Sequence, residues 1–84
     1  MIESYIMEDD LVIAEKTSVA RNGDLVVALV DGGNATLKYF FKEKDGYRLQ
    51  PANPTMKPIL IKKTEPLEIK GKVIMVIRKV EMIS

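Results

Sequence analysis

The chain of 84 residues contains no cysteine and no histidine. These absences exclude a disulfide framework, Cys/His zinc sites and imidazole acid–base catalysis. The lack of cysteine also fits a reducing cytoplasm, the location expected here. Charge of one sign is lacking too. Thirteen Lys and Arg stand against 12 Asp and Glu, a net charge of +1, so no strong field draws the chain to nucleic acid or membrane. No apolar run is long enough to cross a bilayer. The opening MIESYIMEDD carries Glu3, Glu8, Asp9 and Asp10 and does not read as a signal peptide. Nothing in the chain calls for a metal or a cofactor.

Helical periodicity is scarce as well. The apolar residues come in short runs of Val, Ile and Leu, punctuated by Gly, Pro, Asn and Asp. LVIAE (11–15), DLVVALV (24–30), ATLKYFFK (35–42), YRLQ (47–50) and ILIKK (59–63) read as strands. Turns are expected at Asn22-Gly23, at Gly32-Gly33 and at Glu43–Gly46. PANPTMKP (51–58) holds three prolines and reads as a loop. LEIKGKVIMVIRKVE (67–81) is one long extended stretch, with a bend or bulge expected at Gly71. With a length that suits one small domain, the expectation is an all-β fold of about six to seven strands, a folded sheet or partly closed barrel.

The last stretch is apolar on both sides. Simple alternation places Ile74, Val76 and Arg78 on one face and Val73, Met75 and Ile77 on the other. Such a strand is either central to a core or covered by a partner chain. A basic cluster, KPILIKK (57–63), is balanced by Glu65 and Glu68 and has no aromatic platform, so it reads as a solvated edge rather than a nucleic-acid surface.

Lys38 is the unusual residue. It lies mid-strand between Leu37 and the aromatics Tyr39, Phe40 and Phe41. With Gly32-Gly33 as a two-residue loop, Lys38 pairs with Val27, and Leu25 and Leu29 occupy its diagonals. The ordinary account of a strand lysine is a solvated amine on a stem that covers apolar surface. The other account is a desolvated amine, for which burial favours the neutral form and allows general-base chemistry toward a serine. Spacing alone does not choose between them.

Four segments in order resemble one family. IMEDDLVIAEK (6–16), ARNGDLVVALVDG (20–32), ATLKYFFKEKDGYRLQPANPTMKPILI (35–61) and IKGKVIMVIR (69–78) are together similar to the C-terminal domain of LexA-type repressors, shared with UmuD and phage repressors. The resemblance implies a mostly-β domain in which a serine attacks an upstream Ala–Gly or Cys–Gly bond of its own protein, with a lysine as base. Cleavage in that family is stimulated by a RecA–single-stranded DNA filament. The family's lysine falls on Lys38. The family's serine, in a [GD]-x-S-M motif, falls one position before Met1. Ser4, Ser18 and Ser84 do not match it.

The resemblance also implies a homodimer through VIMVIRKV (73–80), with Ile74, Met75, Val76, Ile77 and Arg78 as dimerisation residues. Residues 1–84 are then expected to be the self-cleavage and dimerisation domain without its front end, without the N-terminal helix-turn-helix DNA-binding domain, and inactive alone. The family's Asp-Gly-Asp turn reads Glu8-Asp9-Asp10 here, a change that Asp tolerates. The alternative is a UmuD-like or degenerate domain that only binds partners.

Overall fold

A computed structural model describes residues 2–7, 10–51 and 55–78. Seven strands follow in chain order: β1 (Ile2–Met7), β2 (Asp10–Lys16), β3 (Leu25–Val30), β4 (Ala35–Glu43), β5 (Gly46–Gln50), β6 (Ile59–Lys62) and β7 (Leu67–Arg78). They form one antiparallel sheet in the order β1-β2-β7-β3-β4-β5-β6. Among the described residues there is no helix, and the sheet is open, so of the two expected forms the folded sheet is the one observed. Strand β1 was not foreseen. Its segment IESYIM shows no clean alternation, and pairing along the whole of β2 supplies its order. The Glu8-Asp9 part of the expected turn, residues 52–54 of the proline-rich loop and residues beyond 78 lie outside the described residues.

Apolar side chains gather on both faces of the sheet. One cluster holds Val26, Ala28, Phe40, Leu49 and Ile61 from β3 to β6, with Ala20, Tyr47, Leu67 and Ile69 packed against it. The Phe40 and Tyr47 rings lie 5.5 Å apart. The second cluster holds Val12, Ala14 and Val27, flanked by Ala35, Leu37 and Val73. Adjacent β3 residues therefore serve opposite cores, which explains why LVVALV is apolar throughout.

Two turns set the register around β3. Asp24 N–H donates to Arg21 O at 3.0 Å across Asn22-Gly23, and Gly23 takes a φ of 89°. Gly23 N–H also donates to Phe40 O at 2.7 Å, while Phe40 N–H donates to Asp24 O at 2.8 Å. Gly23 and Asp24 thus share one partner, a bulge that needs glycine at its left-handed position. At the other end the turn is centred on Asp31-Gly32, not on Gly32-Gly33. Asp31 and Gly32 have φ of 53° and 69°, and Gly33 N–H closes the turn on Val30 O at 3.0 Å. Aspartate tolerates the left-handed region, so a loop with two positive φ angles can begin one residue earlier.

That turn alone would set Leu29 against Asn34, but the ladder begins with Leu29 opposite Ala35, so one further residue is taken up on the β4 side and the ladder is shifted by one from the expected pairing. Val26 pairs with Lys38, Val27 with Leu37 and Ala28 with Thr36. Lys38 is therefore opposite Val26, and the expected pairing with Val27 is corrected. A one-residue shift exchanges which face of β3 the lysine meets.

Strand β7 is irregular on both sides. Against β3, Val27 pairs with Gly71 and Ala28 with Ile69, leaving Lys70 as the extra residue. Against β2, Ile13 pairs with Met75 and Ala14 with Val73, leaving Ile74. Gly71 is flanked by these bulges and lies close to β2: a Cβ there would stand 3.0 Å from Glu15 O and 3.2 Å from the Ala14 Cβ. The bulge at Ile74 also resets the side-chain alternation. Val76 opposes Val12 and Val73 opposes Ala14, so both lie on the face of the second cluster, and Met75 opposes Ile13 on the other. The simple alternation expected from sequence places Val73 and Val76 on opposite faces, and the extra residue overturns it.

Candidate active site

Lys38 is held by an extended backbone that pairs with β3 on one side and reaches β5 on the other. Directly opposite residues share a face, so Lys38 joins Val26, Ala28 and Phe40 on the face of the larger cluster. Phe40 is its neighbour two residues along β4. The chain leaves β5 at Pro51, one step past the Tyr39–Gln50 pair and beside Lys38. Val26 and Pro51 are buried and Lys38 is half-buried. Among the described residues its amine makes no side-chain hydrogen bond and no ion pair.

Charged side chains nevertheless approach the same row. Lys72 of β7 pairs with Val26 from the side opposite Lys38. Asp24, opposite Phe40, is two residues from Val26 on the same face. Its Oδ1 lies 3.6 Å from Lys72 Nζ, and its Oδ2 accepts a bond from Arg21 N–H at 2.9 Å. Sequence reasoning missed Asp24 and Lys72. Their proximity to Lys38 depends on the Gly23 bulge and on the extra residue at Lys70, and neither offset is visible as a pattern.

Among the described residues no serine reaches Lys38. Ser4 pairs with Ile13 on β1, and β2, β7 and β3 lie between β1 and β4. Ser18, in the connection after β2, lines hollows with Lys16 and Lys70 on one side and with Phe40 and Tyr47 on the other. Ser84 lies outside the described residues. A larger hollow of about 500 Å3, walled by Tyr47, Leu60 and Ile61, sits at the β4–β5 turn, away from Lys38. The described residues contain no group of three or more acidic side chains able to hold a metal. No helix among them is long and apolar enough to cross a membrane.

The expected dimerisation residues fall where β7 outruns β3. Residues 67–72 pair with β3, whereas Val73 to Arg78 pair only with β2 among the described residues. The second edge of that stretch has no strand beside it there. Ile74, Met75, Val76 and Ile77 are 43–53% exposed, an apolar run presented on both faces. The basic cluster is a solvated edge, as expected: Leu60 and Lys62 are exposed on the end strand β6, and Glu65 Oε1 accepts from Lys62 N–H at 3.2 Å. Glu68 instead pairs with Lys70 at 3.2 Å.

Residues 1–74 match the Peptidase S24-like family. The chain belongs to that family. It is 53% identical over 79 residues to a LexA repressor of Clostridium tetani, covering 94% of this chain and 38% of that protein. A LexA repressor of Caldicellulosiruptor saccharolyticus is 49% identical over 79 residues, covering 94% of this chain and 37% of its own length. One from Clostridium acetobutylicum is 57% identical over 65 residues, 77% of this chain and 31% of that protein. The chain thus spans less than two-fifths of these relatives. Within the S24-like family the likeness is to LexA repressors, which does not favour the UmuD-like or degenerate alternative.

Proposed function

We propose that this chain is the self-cleaving and dimerising part of a LexA-type repressor of the SOS response, with Lys38 as the general base of a Ser–Lys dyad. The observation that carries the reading is the half-buried Lys38, without a side-chain partner among the described residues and facing the apolar cluster of β3 and β4. The resemblance puts the family's lysine at this position. As general base the Lys38 amine takes the proton of a serine hydroxyl as the oxygen attacks a peptide carbonyl. The resulting ammonium then donates that proton to the leaving amine. By the resemblance the family's serine aligns one position before Met1, and no serine among the described residues reaches Lys38. An N-terminal helix-turn-helix domain binds the operator DNA, and a RecA–single-stranded DNA filament stimulates cleavage in the cytoplasm after DNA damage.

The sheet order places a condition on this chemistry. Ile2, Glu15, Lys72, Val26 and Lys38 form one row across five strands. Four strand spacings amount to roughly 19 Å along the sheet, whereas a serine two residues before Ile2 extends only about 7 Å from it. The dyad therefore assembles in a form in which β1 leaves the β2 edge and crosses toward β4.

Association of two copies through β7 completes the reading. The open edge beside the exposed Ile74–Ile77 run allows a second β7 to add antiparallel about a two-fold axis. In the serine-containing protein, Lys38→Ala abolishes self-cleavage and leaves the dimer intact. A variant that still cleaves refutes the base.

A further inference from the structure

Among the described residues Asp24 is a carboxylate on the Lys38 face of the sheet, and two lysines flank it there. Asp24 opposes Phe40 through the Phe40 N–H···O bond of 2.8 Å. Lys38 is two residues from Phe40 on β4, and Lys72 stands on the other side of Val26 on β7. Both are diagonal neighbours of Asp24, within the reach of a long side chain. The carboxylate is committed to one of them: Oδ1 faces Lys72 Nζ at 3.6 Å and Oδ2 is held by Arg21 N–H at 2.9 Å.

We infer that Lys72 is a positioning residue that withholds the Asp24 carboxylate from Lys38, so that the Lys38 amine stays free to act as a base. The inference rests on the reading of Lys38 given above. An ammonium paired with a carboxylate keeps its proton, and a protonated lysine accepts none. Among the described residues the other charged groups near this face do not substitute for Asp24. Glu15 is directly opposite Lys72 on β2, beyond it from Lys38. On β4 itself the next same-face charge is Lys42, a cation, opposite Tyr47 of β5. Gln50 and Pro51 at the β5 end are uncharged.

The test uses the full-length protein with its serine, alongside the 84-residue chain. Lys72→Met slows self-cleavage about tenfold, Lys72→Arg restores it, and adding Asp24→Asn to Lys72→Met restores it as well. Loss of general stability does not produce recovery by removing the carboxylate. An unchanged rate in Lys72→Met, or no recovery in the double variant, overturns the proposal. Lys38→Ala run beside these separates its failure from that of the base reading. A crystal structure of the Lys72→Met chain gives a readout independent of cleavage. An Asp24 oxygen within hydrogen-bonding distance of Lys38 Nζ supports the inference, and a carboxylate still turned away from Lys38 overturns it.

Discussion

Lys38 stands directly opposite Val26, a residue with no exposed surface, and not opposite Val27. That one-residue difference places the lysine on the face of the larger apolar cluster and beside the Asp24–Lys72 pair. The shift arises at the hairpin end, where the Asp31-Gly32 turn is followed by one extra residue on the β4 side before Leu29 meets Ala35.

The position of β1 leads to a first prediction. Ser4 pairs with Ile13 across the outer edge of the sheet. Ser4→Cys with Ile13→Cys introduces the only two cysteines of this chain, which has none of its own. In the serine-containing protein, oxidation pins β1 to β2 and stops self-cleavage, and reduction restores it. Cleavage by the oxidised form at the parental rate contradicts the requirement for β1 to leave.

The open edge of β7 leads to a second. Met75 and Val76 present apolar surface on opposite faces beside a strand edge with no partner among the described residues. Replacing both with lysine puts like charges against each other across a two-fold axis and blunts the edge. Sedimentation is expected to show at least a tenfold weaker dimer with an unchanged monomer fold by circular dichroism. Equal association by the variant rules β7 out as the interface.

A third concerns stability at the β5–β6 contact. A Cβ on Gly46 would collide with the backbone carbonyl of Ile61 on β6. Gly46→Ala therefore has to push two paired strands apart, at a cost of about 2–4 kcal/mol. Gly23→Ala meets no atom within 4 Å and bears only its positive φ, about 1–2 kcal/mol. Thermal unfolding is expected to rank Gly46→Ala well below Gly23→Ala. The reverse order contradicts the packing described here.

Leu49→Ala provides a fourth. Leu49 has no exposed surface and lies between Phe40 and Ile61 in the larger cluster. Its truncation is expected to cost about 2–5 kcal/mol in denaturant unfolding. A loss below about 1 kcal/mol means that the cluster is not the core.

The strands from β2 to β7 were legible because apolar runs and Gly, Pro and Asn punctuation mark them directly. What escaped was what depends on one residue more or less. The Asp31-Gly32 turn together with one extra residue on its β4 side displaced Lys38 by one partner, and the Ile74 bulge moved Val76 to the face of Val73. Strand β1 escaped because its order comes from pairing with β2 rather than from its own pattern. Lys38 stood out in sequence as a cation among aromatics, but the Asp24 carboxylate on its face did not. Asp24 comes close through a glycine bulge, and its partner Lys72 lies 48 residues along the chain on β7.

The central claim is that Lys38 is the base. It is tested most directly by the first-order rate of RecA-independent self-cleavage at alkaline pH, measured for the full-length protein and its Lys38→Ala variant. The account predicts that Lys38→Ala lowers the rate by at least about a hundredfold, the lower end of what a positioned general base contributes. A variant that cleaves within about tenfold of the parent, with the same dimer and fold, contradicts it.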